Sequence, residues 1–306
     1  MMKFPRKLMK GGTIGLVSPS SPVDRQREEA CIKVIEDMGY RVKAADNIAM
    51  GADGYLAGPD RRRADGVNEM FRDPEVNAIF CVRGGDGSAR IMEYLDWDAI
   101  ASNPKIFVGY SDVTNLHLML SQKCGMVSFH GPMVSSNIVD HFDDVTRSSL
   151  FDTINATEDF LYRNPAELEI GVLCPGKASG PLTGGNLTLL AASIGTPYEV
   201  DTEGKILFIE EVHTHLSNMD RLMSQLRNSG KLARAKGILL GQFTDCESDG
   251  GDYLMYDMFW DMTADLDIPV MYGISSGHGF PMTTLPIGAQ CSINTEDRTI
   301  RFHVER

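Results

Sequence analysis

The sequence predicts an α/β protein built as two units, the first a parallel sheet with helices on both faces. Three observations predict it. Up to Gln122, short apolar runs alternate with amphipathic stretches, which is strand, loop and helix repeated. Around residues 140–180 the chain turns polar and is punctuated by Pro165, Pro175 and Gly176, as a crossover between units would be. Beyond that point apolar runs resume, and the last residues read as a hairpin. This places a first unit at residues 1–150, a linker at 151–179 and a second unit at 180–306.

Thr13–Ser18 (TIGLVS) is compact, β-branched and followed by Pro19, which suits a buried strand entering a turn. Asp24–Met38 sets Ala30, Ile32, Val34 and Ile35 among charges. It stops at Gly39, the residue type that most easily takes the left-handed conformation ending a helix. Tyr40–Ala44 is the next strand, Arg61–Phe71 a helix, and Ala78–Val82 (AIFCV) a strand after Pro74. Ser88–Leu95 reads as helix, Lys105–Gly109 (KIFVG) as strand, and Ser111–Gln122 as helix through Val113, Leu116, Leu118, Met119 and Leu120. In the second half, Gly184–Ala192 and Asp220–Arg227 read as helices. Lys205–Glu210 (KILFIE), Gly237–Leu240 (GILL) and Pro269–Ile274 (PVMYGI) read as strands, and Ala289–Val304 as a hairpin turning at Thr295–Arg298.

Composition narrows the function. At 306 residues a folded monomer exposes roughly 12,700 Å² and buries about three quarters of its chain surface, so a full core needs no staples. With 42% apolar and 23% charged residues the chain is neither disordered nor collagen-like. Its 29 basic and 42 acidic residues give a net charge of −13, which repels phosphate backbones and anionic lipid. No nucleic-acid or membrane partner is expected. Six cysteines lie at least 43 residues apart with no CxxC, which argues against a zinc knuckle or a disulfide scaffold and for buried thiols in a reducing compartment. The basic N-terminus carries only the short apolar stretch Thr13–Val17, too short for a signal peptide. No stretch reaches the ~18 consecutive apolar residues of a membrane span. The expectation is a soluble, cytoplasmic protein.

Four loops are candidates for chemistry. Gly109-Tyr110-Ser111-Asp112 joins a strand to a helix, where a sharp turn exposes a serine hydroxyl and the helix start offers unpaired N–H groups to an oxyanion. The elbow pattern G-x-S-x-G is incomplete, since Val113 occupies its last glycine, and Ser111 or Asp112 as a helix cap is the plainer alternative. Arg83-Gly84-Gly85-Asp86-Gly87 follows a strand and lets the backbone approach a ligand, as a phosphate loop or half of an oxyanion hole, or serves only as a turn. It is no dinucleotide fingerprint, because Arg90 stands where a third glycine is needed. Glu210-Glu211 ends a strand, where α/β sheets place functional groups; adjacent residues face opposite sides, so at most one enters a given cleft. Solvated charges at a strand end are the plainer alternative. Gly277-His278-Gly279 holds an imidazole in a bent loop, for catalysis or for structure. His213 and His215 share no recognisable third metal ligand. Together Ser111, Glu210 and His278 form a Ser…Glu…His series, each at the C-terminal end of a predicted strand.

These residues, with GGTIGLVSPSSP, RGGDGSARIMEYLD, KIFVGYSDVTNLHL, FHGPM, GPLTGGNLTLLAASIGTPYEVDTEGKILFIEE and IPVMYGISSGHGFPMTTLPIGAQ, resemble the LD-carboxypeptidases, serine peptidase family S66, through almost the whole chain. The resemblance implies a Rossmann-like N-terminal domain and a smaller β-rich C-terminal α/β domain. It implies the triad Ser111, Glu210 and His278, with Glu210 rather than Glu211 as its acid. It implies an oxyanion hole from the backbone N–H groups of Asp112 and Gly85, a homodimer, and neither metal nor organic cofactor. The implied reaction is release of D-alanine from a muropeptide tetrapeptide in cell-wall recycling, or, in the microcin C immunity branch, cleavage of a toxic aminoacyl-nucleotide conjugate. The sequence departs from the family at Asp86, where many members carry an aromatic residue; an acid there would favour a basic group on the substrate. A non-enzymatic anion-binding α/β protein is the rival of a different class.

Overall fold

The computed structural model describes residues 2, 4–51, 54–165, 167–248, 250 and 253–306. In the first half these form β1 (Thr13–Val17), α1 (Arg25–Asp37), β2 (Arg41–Ala44), α2 (Asp60–Arg72), β3 (Val76–Cys81), α3 (Ser88–Ile91), α4 (Trp97–Ser102), β4 (Ile106–Gly109), α5 (Thr114–Gln122), β5 (Ser128–His130) and α6 (Asp144–Asn155). The second half continues with β6 (Phe160–Leu161), β7 (Gly171–Cys174), β8 (Lys177–Asn186), α7 (Leu187–Ser193), β9 (Ile206–Val212), α8 (Leu216–Asn228), α9 (Lys231–Arg234) and β10 (Gly237–Thr244). It closes with α10 (Met255–Thr263), β11 (Val270–Tyr272), β12 (Leu285–Ile287), β13 (Gln290–Asn294) and β14 (Thr299–His303).

Two sheets organise these elements. The first has the order β12-β5-β4-β3-β1-β2 and is parallel except for β12, which runs antiparallel to β5. Its central strands β1, β3 and β4 are apolar and almost wholly buried, as strands covered on both faces must be. The second has the order β6-β14-β13-β8-β9-β10-β11-β7, with a parallel centre from β8 to β11 and antiparallel flanks. The molecule is therefore mixed α/β, with the parallel sheet first. Its exposed area of 12839 Å² is that of a fully compacted monomer.

Three elements differ from the sequence reading. Gly184–Asn186, expected to open a helix, instead ends β8; the apolar spacing of Leu187 to Ala191 belongs to α7 alone. The two glycines sit at φ 121° and 143°, and a Cβ on Gly184 would lie 2.0 Å from the Phe208 carbonyl oxygen, so this strand end admits only glycine. The polar stretch 141–152 contains most of α6, which Asp143 caps and which buries Leu150 and Ile154. The stretch expected as linker also supplies β6 and β7, the two edges of the second sheet.

Two contacts lock the sheets together. Asn186 donates its backbone N–H to Thr114 Oγ1 at 3.1 Å, and a Cβ on Gly185 would lie 2.5 Å from that hydroxyl, so α5 rests directly on the end of β8. The chain also leaves β11 in the second sheet and enters the first as β12, pairing Leu285 with His130. The segment between those strands carries His278. Among the described residues no helix is long and apolar enough to cross a membrane.

Candidate active site

Ser111 lies where β4 ends. Its φ of 65° is left-handed, a conformation that a serine holds only when the surroundings enforce it. A single 3-10 turn, Ser111–Val113, then leads into α5. The enforcing contacts are tight. A Cβ on Gly109 would lie 3.0 Å from Val113 Cγ1 and 3.1 Å from the Cys81 side chain. His117 of α5 bonds the Gly109 carbonyl through Nε2 at 2.8 Å and Ser128 Oγ through Nδ1 at 2.7 Å. A carbonyl only accepts, so Nε2 carries the proton and Nδ1 accepts from the serine hydroxyl. Burial pushes this imidazole down to about 4, which keeps it a neutral strut under the turn.

Across from Ser111 stands the glycine loop. A Cβ on Gly84 would come within 3.0 Å of Ser111 Cβ and 3.1 Å of its Oγ. Gly85 has φ 104°, and a Cβ there would sit 2.1 Å from Ser21 Oγ. Asp86 is exposed, and its own N–H is committed to Ser21 Oγ at 3.3 Å. Asp112 has a second use that the sequence did not reveal. Its buried carboxylate accepts from Ser20 Oγ at 2.5 Å and from the Ser88 N–H at 2.8 Å, while Ser88 Oγ donates to its carbonyl at 2.6 Å. The acid ties the serine turn to the C-terminal end of the glycine loop and to the loop after β1. Burial raises its pKa, against those hydrogen bonds.

Glu210 and Glu211 face opposite sides of β9, as adjacent strand residues must. Glu211 accepts from Asn186 Nδ2 at 2.9 Å and from the Thr188 N–H and hydroxyl at 2.9 and 2.6 Å, which makes it a brace for the start of α7. Glu210 turns the other way, fully buried, and its Oε2 meets His278 Nδ1 at 2.7 Å. With the carboxylate ionised, Nδ1 must be the donor, and Nε2 is left with its lone pair. Burial raises the Glu210 pKa; the imidazole partner opposes that. Gly277 permits the approach, since at φ 141° a Cβ would lie 3.1 Å from Glu210 Oε2.

The imidazole is held on its other sides by residues that sequence reasoning missed. Tyr110 packs edge-on against it, ring centroids 4.8 Å apart. Gln242, just past the apolar run of β10, accepts from the Gly279 N–H at 2.9 Å and donates to the Pro281 carbonyl at 3.2 Å. Behind Tyr110 lies His130, fully buried, with neither ring nitrogen bonded among the described residues. Burial drives it well below the ordinary imidazole range. Gln242 follows the same strand-end rule that marked Glu210, so that signal was present; Tyr110 and His130 look like core residues until the fold is known.

His213 and His215 stand apart from this cluster, exposed and beside Asp245 and Glu247 at 3.5 and 3.8 Å, and no group of metal-ligating side chains occurs among the described residues. A cavity of about 730 Å³ lined by Phe4, Lys7, Asn77, Lys105 and Met126 lies where β3 and β4 begin, away from the functional strand ends.

Residues 14–131 match the LD-carboxypeptidase N-terminal domain, and residues 179–293 match the LD-carboxypeptidase C-terminal domain. The chain belongs to the LD-carboxypeptidase family. It thereby belongs among serine-type carboxypeptidases, which are hydrolases. It is 39% identical to a probable murein peptide carboxypeptidase of Bacillus subtilis over 96% of this chain and 92% of that protein. It is 28% identical to the microcin C7 self-immunity protein MccF of Escherichia coli over 96% of this chain and 93% of that one. MccF in complex with glutamyl sulfamoyl guanosine superposes with a TM-score of 0.91 at 26% identity, covering 99% of this chain and 98% of the other. A muramoyltetrapeptide carboxypeptidase from Oxalobacter formigenes superposes at 0.83 and 29% identity, covering 96% and 99%. Within the family frame, Ser111 lies in the N-terminal match and Glu210 and His278 in the C-terminal one.

A Glu210→Gln variant keeps an acceptor of the same size but removes the buried charge. Because the folded-state pKa of Glu210 is raised, its contribution to stability is full below the ordinary carboxylate value and is lost as pH rises through the raised one. The melting temperature of the variant relative to the wild type is therefore expected to rise as pH goes from 4 to 8. Thermal melts across that range check it; parallel pH profiles for the two proteins would contradict the assignment.

Proposed function

We propose that this protein is a serine LD-carboxypeptidase that removes the terminal D-alanine from a muropeptide tetrapeptide. The observation that carries the reading is the buried Glu210–His278 pair at 2.7 Å, its carboxylate on β9 and its imidazole on the segment that bridges the two sheets. Its counterpart is the left-handed serine turn packed against the glycine loop. The name of the Bacillus subtilis relative supports the substrate class.

The chemistry follows from the roles. Ser111 Oγ attacks the carbonyl of the L-residue while His278 Nε2 takes its proton. The oxyanion of the tetrahedral intermediate accepts hydrogen bonds from the backbone N–H groups of Gly85 and Asp112, preorganised donors in a site partly closed to water. Collapse breaks the C–N bond, and the imidazolium returns its proton to the departing amine of D-alanine. Water then attacks the acyl-enzyme with His278 as base, releasing the tripeptide. Glu210 holds the imidazole in the required tautomer and stabilises its charged form. Asp86 gives the rim of this site an exposed carboxylate with no ion-pair partner among the described residues, which favours a substrate whose third residue carries an amine.

The second reading, cleavage of an aminoacyl-nucleotide conjugate, draws on the fold similarity of 0.91 to MccF. The cytoplasm as location and a homodimer as the assembly belong to the same proposal, and sedimentation of the purified protein tests the latter.

Incubation with L-Ala-γ-D-Glu-meso-diaminopimelate-D-Ala, followed by mass spectrometry, tests the reading. Wild type is expected to release D-alanine, and Ser111→Ala and His278→Ala each to lose at least about 10³-fold in turnover. Full activity in either variant would overturn the mechanism, and cleavage of the nucleotide conjugate alone would favour the second reading. Replacing diaminopimelate by an uncharged residue should cost the wild type more than Asp86→Tyr; an unchanged substrate profile in that variant would remove Asp86 from the account.

A further inference from the structure

Beside the glycine loop lies a cleft of about 510 Å³ whose walls include Ser21, Pro22, Arg27, Tyr55, Arg83 and Ser135. It adjoins the proposed oxyanion hole through a short chain of contacts. Ser21 lies against Gly85 so closely that a Cβ there would overlap its hydroxyl, and its N–H donates to the Gly84 carbonyl at 3.1 Å. Ser135 donates its N–H to the Val82 carbonyl at 2.8 Å. Both walls are thus hydrogen-bonded to the backbone on either side of Arg83, and the cleft is a fixed shape rather than a gap between loose loops.

The two cations of this cleft are not equivalent. Arg27 is already engaged: it donates to Asp140 Oδ1 at 2.9 Å and to Ser135 Oγ at 3.0 Å. The third charged wall residue, Asp24, is committed to capping α1 through the Arg27 N–H at 2.7 Å. Arg83 has no carboxylate within ion-pair reach among the described residues, and its guanidinium makes one long contact, 3.4 Å to the Pro22 carbonyl. A protein of net charge −13 therefore presents, two residues from its proposed oxyanion donor, a guanidinium with most of its donors free.

We propose that this cleft is the subsite for the free α-carboxylate of the residue released, with Arg83 as the binding residue that makes the enzyme cut only at a C-terminus. The proposal rests on the carboxypeptidase reading and adds its exopeptidase determinant. A planar fork of N–H donors matches a carboxylate in two parallel bonds, and Ser21 and Ser135 line the same space with neutral hydroxyls. Tyr55 stands exposed at the rim. A substrate whose terminal carboxylate is amidated would leave this fork without its partner.

The test compares kcat/KM for the tetrapeptide ending in D-alanine with that for the same peptide ending in D-alaninamide, in wild type, Arg83→Lys and Arg83→Gln. A charge-assisted bidentate contact predicts a wild-type preference of at least about 30-fold for the carboxylate, falling to within about threefold in Arg83→Gln and to an intermediate value in Arg83→Lys. Because the readout is a ratio of two substrates in one protein, partial unfolding of a variant does not imitate the result. A wild-type preference that survives in Arg83→Gln would overturn the assignment and leave the carboxypeptidase reading standing. Equal wild-type turnover of both peptides would overturn the idea that the carboxylate is recognised at all. A wild type that turns over neither would remove the carboxypeptidase reading and this subsite with it.

Discussion

The pairing of β12 with β5 is the contact on which the rest of the arrangement depends. Ser111 is held by the first sheet, and Glu210 by the second. His278 belongs to neither: it rides on the segment from β11 to β12, whose two ends are fixed in different sheets. Leu285 pairs with His130, which in turn pairs with Gly109, the residue that opens the serine turn. The position of the imidazole relative to the serine is therefore set by ladder hydrogen bonds across three neighbouring strands. Within the segment, Ser275 donates its N–H to the Tyr162 hydroxyl at 2.9 Å, and Thr283 Oγ1 returns to the Ser275 carbonyl at 2.6 Å, so the loop is closed on itself.

This construction places charge where it is expensive. A carboxylate with no exposed surface is tolerable only with a partner, and Glu210 has one at hydrogen-bond distance. The histidines around the site are kept neutral instead, both by burial: His117 against the opposing pull of its hydrogen bond to the Gly109 carbonyl, and His130 between Tyr110 and Phe208. Among the described residues, the titratable pair that meets in the centre of the cluster is Glu210 with His278. The left-handed serine is a second cost of the same kind. It is offset by the packing of Gly109, Gly84 and Gly185, three positions where a side chain would collide with the turn or its helix.

Much of this was legible from the residues. Buried parallel strands read as continuous apolar runs, so β1, β3, β4 and β9 were visible, and the loops at their C-terminal ends named Ser111, the glycine loop and Glu210. What was not legible shares a physical cause. β8 ends in Gly184-Gly185-Asn186 because backbone from Phe208 and a side chain from Thr114 crowd it, and neither neighbour is close in sequence. β6, β7 and β12 are two to four residues long and gain their stability from the sheets they join, too short for any periodicity to mark them. Apart from the family resemblance, the choice between Glu210 and Glu211 depended on strand phase, and the fold shows that one meets His278 and the other braces α7. Asp112 was expected to act through its N–H; that its carboxylate joins three loops required their positions in space.

The central claim is that the serine turn and the buried Glu210–His278 pair, carried by different sheets, act as one nucleophilic centre. The most direct measurement is the site of reaction with a fluorophosphonate, mapped by peptide mass spectrometry in wild type and in His278→Ala. The account predicts a single adduct on Ser111 that forms rapidly in the wild type and is slowed at least about 10²-fold without the imidazole. Labelling at another serine, or equal rates in the two proteins, would contradict it.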